Sequence, residues 1–396
     1  MRRFAAAIAV VVFAAGVALA DTIIVDCTGQ NGYETIQEGL DAADTGDNVV
    51  VWPGTYSGSG NRDLNFKGKD IDLQSRDGAY WTTIDCDSLG RAFYFHSGES
   101  SSARVKNFTI VNGVADMGGG IYCDNASPTL DGLVLSYNHA ALKGGALYCR
   151  TSSSQLTNTT ISYNSSDAHG GGMYCCGMSE PDLDTVYFIQ NTAAENGAGM
   201  FWLAEQDSSS GTLSTVMFCG NSAVRGGGLY LQVPGTGAVL DSVGFYANTS
   251  TGESQGGGGG AFCILSSPSL INGCVFQANT AVGDGGGIYI HENSSPSLTG
   301  VSFTSNEADR GGGAFTSGQV GASAPVMTEC TFTSNSASKG AGIYSCDGSV
   351  VFLYDCTLTG NEAEEKGGGL HVDSQSVALV DGGSFTGNEA AAGGGV

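Results

Sequence analysis

Apolar residues alternate with polar ones inside short runs of this chain, and the runs recur about every 27 residues. The clearest landmark is a four-residue motif closed by asparagine: "LSYN", "ISYN", "FIQN", "FCGN", "FYAN", "FQAN", "FTSN" twice, "LTGN" and "FTGN". Its asparagines run from Asn138 through Asn164, Asn191 and Asn221 to Asn388, nine intervals over 250 residues. One turn earlier, after "FTI", Gly113 stands where the asparagine is due. Glycines follow each asparagine and lead into a triplet such as Ile121-Tyr122-Cys123, so Tyr122, Tyr148 and Tyr174 are each 26 residues apart.

Each period divides into three runs. The first is the triplet after the glycines. The second often opens on proline, as at Pro128, Pro181, Pro268, Pro296 and Pro325, and carries Leu130, Leu183, Leu270 or Leu298. The third has apolar residues five and three before the asparagine, such as Val243 with Phe245 and Cys274 with Phe276. Residues two apart in a strand share a face, so these pairs, and Ile121 with Cys123, are expected inside, with Tyr122 pointing out. The pattern predicts an all-β solenoid with three strands per turn. Glycine turns corners that a β-carbon would block, proline stands where a missing N–H breaks no ladder bond, and asparagine tolerates left-handed φ and can bond to its equivalent in the next turn. Stacked turns lie ~4.8 Å apart, so like residues form files.

Residues 21–111 are less regular. In "NGYETIQEGLDAAD" Tyr33, Ile36, Leu40 and Ala43 share a helical face, and Asn31 with Glu34 fits a capping box. A short helix there is expected to cover the open end of the first turn, followed by irregular early turns. Before it, Arg2, Arg3, an apolar stretch and "ALA" ending at Ala20 read as a secretory leader over 1–20, too short for a membrane span. The regular repeats occupy 112–396. They stop at "AAGGGV" as another first strand would begin, which suggests a missing C-terminal cap, anchor or barrel.

"YETIQEGLDAADTGDNVVVWPGTY", "GKDIDLQSRDG" and "TTIDC" resemble the opening of secreted right-handed parallel β-helix proteins, the pectin-lyase-like superfamily. The "GGGIY" and "FxxN" repeats look like those of chlamydial polymorphic outer membrane proteins. The resemblance implies a right-handed parallel β-helix with a short N-terminal capping helix, at the cell surface or outside it. It implies no single activity, because the fold carries lyases, hydrolases and adhesins.

Composition narrows the partners. The chain has a formal net charge of −24, and loss of the leader would remove two more arginines, so nucleic acid is a poor partner. Lyases of the superfamily use an Arg or Lys beside aspartate-held calcium, and its hydrolases use aspartates with a His and an Arg-x-Lys. From Asn107 onward the basic residues are Lys143, Arg150, Arg225, Arg310, Lys339 and Lys366, and five of them directly precede a glycine run, as do His169 and Asp284. That file is expected to be a solvated corner. Two carboxylate pairs, Glu329 with Asp355 and Glu362 with Glu389, stand in adjacent turns without a basic partner, and Asp131, Asp184 and Asp241 share a file but not adjacent turns. No catalytic residue, metal ligand set or cofactor is assigned; loose calcium attraction is the most the acidic surface implies. Cys123, Cys149 and Cys175, and Cys330 with Cys356, are expected as stacked thiols, since β-carbons ~4.8 Å apart exceed the usual 3.5–4.5 Å of a disulfide.

The outward residue of the first run is aromatic in nine successive turns: Tyr122, Tyr148, Tyr174, Phe201, Tyr230, Phe262, Tyr289, Phe315 and Tyr344, with His371 ending the row. Stacked aromatics stabilise a solenoid by themselves. The functional reading is an exposed platform for an extracellular polysaccharide or a host or neighbouring cell surface. The sequence is thus read as an exported, non-catalytic adhesin or structural stalk; the alternative is a polysaccharide lyase or glycoside hydrolase with an atypical site.

Overall fold

The computed structural model describes residues 20–204, 210–233, 237–253, 257–263, 270–318, 323–373 and 375–396. The expected leader, apart from Ala20, lies outside them, as does Pro268.

Every strand pairing between turns is parallel, and the strands stack into three sheets of 25, 11 and 10 strands. The 11-stranded sheet runs from Phe93–Phe95 to Leu370–Val372 and contains the first run of each turn. The second and third runs share the 25-stranded sheet. In two turns they fuse into single strands, Gln155–Ser162 and Asp182–Ile189, bent at Asn158 and Thr185, whose φ angles are +50° and +57°. The 10-stranded sheet follows the asparagine, as in His139–Lys143, and was not anticipated from sequence. Its strands are as short as two residues, such as Ser165–Ser166, and too short for a periodic signal.

The interior is built of files. Phe188, Phe218, Phe245, Phe276, Phe303 and Phe332 stack with ring centroids 4.5–5.0 Å apart. Leu130, Leu156, Leu183, Leu213 and Leu240 form a second buried file in register. Cys123, Cys149 and Cys175 stand in register in a third, and the described cysteines are free thiols. Burial holds the Cys123 and Cys175 thiols well above the ordinary thiol value, and contact with the Cys356 sulfur, then burial, raises Cys330.

The asparagines form a continuous amide ladder. Asn164 Nδ2 donates to the Leu135 carbonyl of the turn before and to Asn191 Oδ1 of the turn after, each at 3.0 Å. Its own Oδ1 accepts from the Asn138 backbone N–H and Nδ2 at 2.9 and 3.0 Å. The pattern continues to Asn388, and Gly113 N–H donates to Asn138 Oδ1, placing Gly113 in the file as the sequence suggested. From Asn138 to Asn361 these side chains are buried, so each bond replaces one that burial removed. The glycine corner is as tightly specified. Gly285 has φ +69°, and a β-carbon on Gly286 would lie 2.5 Å from the carbonyl oxygens of Glu307 and Gly312.

At the N-terminus the strands Thr22–Val25, Asn48–Val51, Asp72–Ser75 and Arg104–Lys106 lie in register, continuing the later files. The helix Ile36–Ala42 packs on the first two, burying Ile36 and Leu40, with Ala43 just past its end. Its capping box is Thr35 with Glu38, not Asn31 with Glu34. Asn31 instead donates to Asp26 Oδ2 at 2.7 Å, and Tyr33 is exposed.

Candidate functional site

The nine aromatics stand in one file on the outer side of the 11-stranded sheet, in register from turn to turn. Tyr94 extends the file one turn toward the N-terminus, in register with Tyr122. It was missed because "RAFYF" lacks the glycines that mark later turns. Consecutive rings from Tyr122 to Tyr344 lie nearly parallel, with centroids 4.6–5.6 Å apart.

The file is not the exposed platform that the alternation predicts. Tyr148, Tyr174, Phe201, Tyr230, Phe262, Tyr289, Phe315 and Tyr344 are only 2–6 % exposed, and Tyr122 is half-buried. Stacking hides the ring faces, while Met117, Leu203, Cys176 and Cys346 pack against the file. Some of the residues before the glycines also fold onto it rather than standing solvated, whereas Lys366 is exposed as expected. Lys143 Nζ lies 4.7 Å from the Tyr174 ring centre, and the Arg310 guanidinium lies 5.0 Å from that of Phe315 and 5.4 Å from that of Tyr344. Asp284, itself buried, accepts from Arg310 Nε and Nη2 at 2.7 Å each. Burial raises the Asp284 carboxyl above its ordinary value, although the Arg310 bonds oppose the shift. Burial likewise pushes the Tyr230 hydroxyl up to about 12; it raises Tyr148 too, helped by the 3.4 Å contact with Cys176 Sγ.

The carboxylate pairs lie on the corners and edges of the solenoid. Glu329 and Asp355 occupy left-handed corners, and Glu362 faces Glu389 across one bridge. Among the described residues, none of the four makes an ion pair with a basic side chain. Asp131 and Asp184 are separated by Thr157, which donates to Asp131 Oδ1 at 2.7 Å. Among the described residues no three His, Cys, Asp or Glu side chains are grouped to hold a metal ion.

Tyr94, at the end of the file, is 36 % exposed, and the more exposed aromatics lie elsewhere. Tyr80 and Trp81 project from the turn Ala79–Trp81. Tyr137 and Tyr163, each immediately before a ladder asparagine, are 62 % and 49 % exposed. Their rings are parallel within 9° and 5.3 Å apart. Beside them on the next sheet, His139 Nδ1 meets Ser165 Oγ at 2.9 Å, and His139 Nε2 lies 3.5 Å from Asp167 Oδ2. The signal was present in "LSYN" and "ISYN", where later turns carry small or polar residues before the asparagine.

A family model described as the right-handed beta helix region matches residues 206–389. No curated protein matches the sequence. Similar solved structures include the catalytic unit of a thermostable GH87 α-1,3-glucanase from Streptomyces thermodiastaticus, at 13% identity and TM-score 0.48, covering 92% of this chain and 70% of that one. A surface adhesin of Streptococcus pneumoniae is similar at 10% identity and TM-score 0.37, covering 89% and 87%. A pectate lyase is similar at 12% identity and TM-score 0.30, covering 93% and 79%. Likenesses this distant say nothing about activity. Three parallel sheets, files in register and the family match together make the chain a right-handed parallel β-helix.

Proposed function

We propose that the protein is exported and acts outside the cell as a rigid, non-catalytic recognition rod, an adhesin or stalk that presents surface side chains to a glycan or a cell surface. The observation that carries this reading is how the aromatics are divided. One long file is used to lock turns together, while Tyr80, Trp81, Tyr137 and Tyr163 are left in solvent in the first half of the molecule. Apolar surface that folding does not bury is surface available to a partner. The acidic balance favours solubility and disfavours polyanions. Among the described residues no helix is long and apolar enough to cross a membrane.

The test uses the full chain without residues 1–20, incubated with a panel of polysaccharides and with whole bacterial and host cells. Sedimentation with at least one of these, without new reducing ends or unsaturated uronates, is the expected result. Product release would replace the reading with that of a polysaccharide-cleaving enzyme, and binding to nothing would remove it.

A further inference from the structure

The residue before each ladder asparagine is held at left-handed φ. From Gly220 to Gly387 the corner is made by glycine, alanine or serine. Only Tyr137 and Tyr163, at φ +57° and +56°, place a bulky aromatic there. Such a backbone is unfavourable for a side chain of this size, and the other turns show that the corner does not need one. The rings gain little from burial in return, being about half exposed or more. Strain and exposed apolar area coincide at the same two residues, in consecutive turns, with the rings in one file.

We infer that Tyr137 and Tyr163 form a glycan-binding strip whose ligand is an uncharged polysaccharide lying along the solenoid axis. The two rings stack on each other, so a glycan along the axis meets their apolar edges and their hydroxyls, with one outer ring face left open at each end of the pair. Polar groups stand where sugar hydroxyls would be met. Asn112 and Gln190 occupy the same left-handed file one turn before and one turn after the pair, and His139 with Ser165 lies alongside. A protein hot spot is instead ringed by contacts that exclude water, which this amide-capped strip lacks. Charge selects among glycans. Asp167 beside His139, Asp85 bonded to Asn112 Nδ2 at 3.0 Å and the net charge of −24 all repel a polyuronate. The strip is a different surface from the buried file of the 11-stranded sheet.

This inference rests on the proposed binding function, and the experiment separates the two. Affinity electrophoresis of the leaderless chain is run in soluble glucan, mannan and xylan, with polygalacturonate as the charged probe. Retardation by at least one uncharged polymer is expected, with affinity falling at least tenfold in the Tyr137→Ala/Tyr163→Ala double variant. The Tyr137→Phe/Tyr163→Phe variant should keep most of it, and Val282→Ala, at an exposed apolar residue outside the strip, should leave it unchanged. An unchanged melting temperature in the double alanine variant verifies that the fold is intact. Equal retardation of wild type and that variant overturns the strip, as does binding confined to polygalacturonate or to cells, and in each case the recognition rod survives. Cleavage of a bound glycan overturns the rod but not the strip. Retardation by nothing, with no cell binding, overturns both.

Discussion

Two files of aromatic side chains run along the outside of this solenoid, and they have opposite fates. The Tyr122-to-Tyr344 file is covered, whereas Tyr137 and Tyr163 stand in solvent. Both point away from the interior, so direction alone does not decide exposure. What decides it is what arrives from neighbouring turns. Over the first file the glycine corner brings Lys143, His169 and Arg310 down onto the rings. Beside the second, the chain turns sharply inward to bury an asparagine and leaves the tyrosine behind. Outward-facing aromatics are therefore a second core in one place and a surface in the other.

The largest expected effect separates chain neighbours. Asn164→Ala strands the Asn138 backbone N–H, an Asn138 Nδ2 proton and the Leu135 carbonyl, all buried. At roughly 1–3 kcal/mol per unmet group, a loss of about 3–9 kcal/mol is expected from the urea midpoint. Tyr163→Ala, one residue away, should cost less than about 0.5 kcal/mol; comparable losses would mean that the exposed pair is structural after all. Next comes the buried file itself: Tyr289→Ala should cost about 3–4 kcal/mol, because it opens a gap between two stacked rings. A loss below about 1 kcal/mol would show that the file is not a second core.

The buried file also has a pH signature. A tyrosine kept neutral by burial holds its proton in the folded chain after the unfolded chain has lost it at about pH 10. The folded state then binds more protons, so stability falls as pH rises. Tyr230, pushed up to about 12, places this decline between the ordinary tyrosine value and about pH 12. Melting temperatures at stepped alkaline pH should begin to fall near the ordinary thiol value of about 8.5, where the buried Cys123 and Cys175 hold their protons, and fall further within the tyrosine window; replacing Tyr230 by Phe should shrink only the second part. The smallest effect is a gain. Tyr137→Asn puts a residue tolerant of left-handed φ at that corner and should raise stability by up to about 1 kcal/mol while removing half of the strip. A clear loss of stability would show that the ring supports the fold.

Much of the architecture was legible because the forces that set it are periodic. The asparagine ladder, the phenylalanine file and the proline-led strands such as Asp182–Ile189 each repeat a local requirement once per turn, and repetition exposes a requirement even when one instance is ambiguous. The capping box was misplaced because Asn31–Glu34 and Thr35–Glu38 have the same spacing, and only the packing of Ile36 and Leu40 on the first two strands chooses between them. Burial of the outer aromatic file was not legible. It depends on which side chains of adjacent turns fold over the rings, and a strand pattern reports only which way a residue points. Tyr137 and Tyr163 were in plain view, but their meaning needed the backbone: only φ shows that the corner resists them.

Along the outer aromatic file the distance in sequence between equivalent residues ranges from 26, between Tyr122 and Tyr148, to 32, between Tyr230 and Phe262, yet register is kept across both. Interval length therefore adds nothing to height. Tyr94 and His371 stand ten layers apart, on the order of 48 Å at ~4.8 Å per layer, whatever the segments between them contain. The molecule works as a ruler with a fixed graduation: whole layers set its reach, and inserted segments can diversify its sides without moving any mark on the scale.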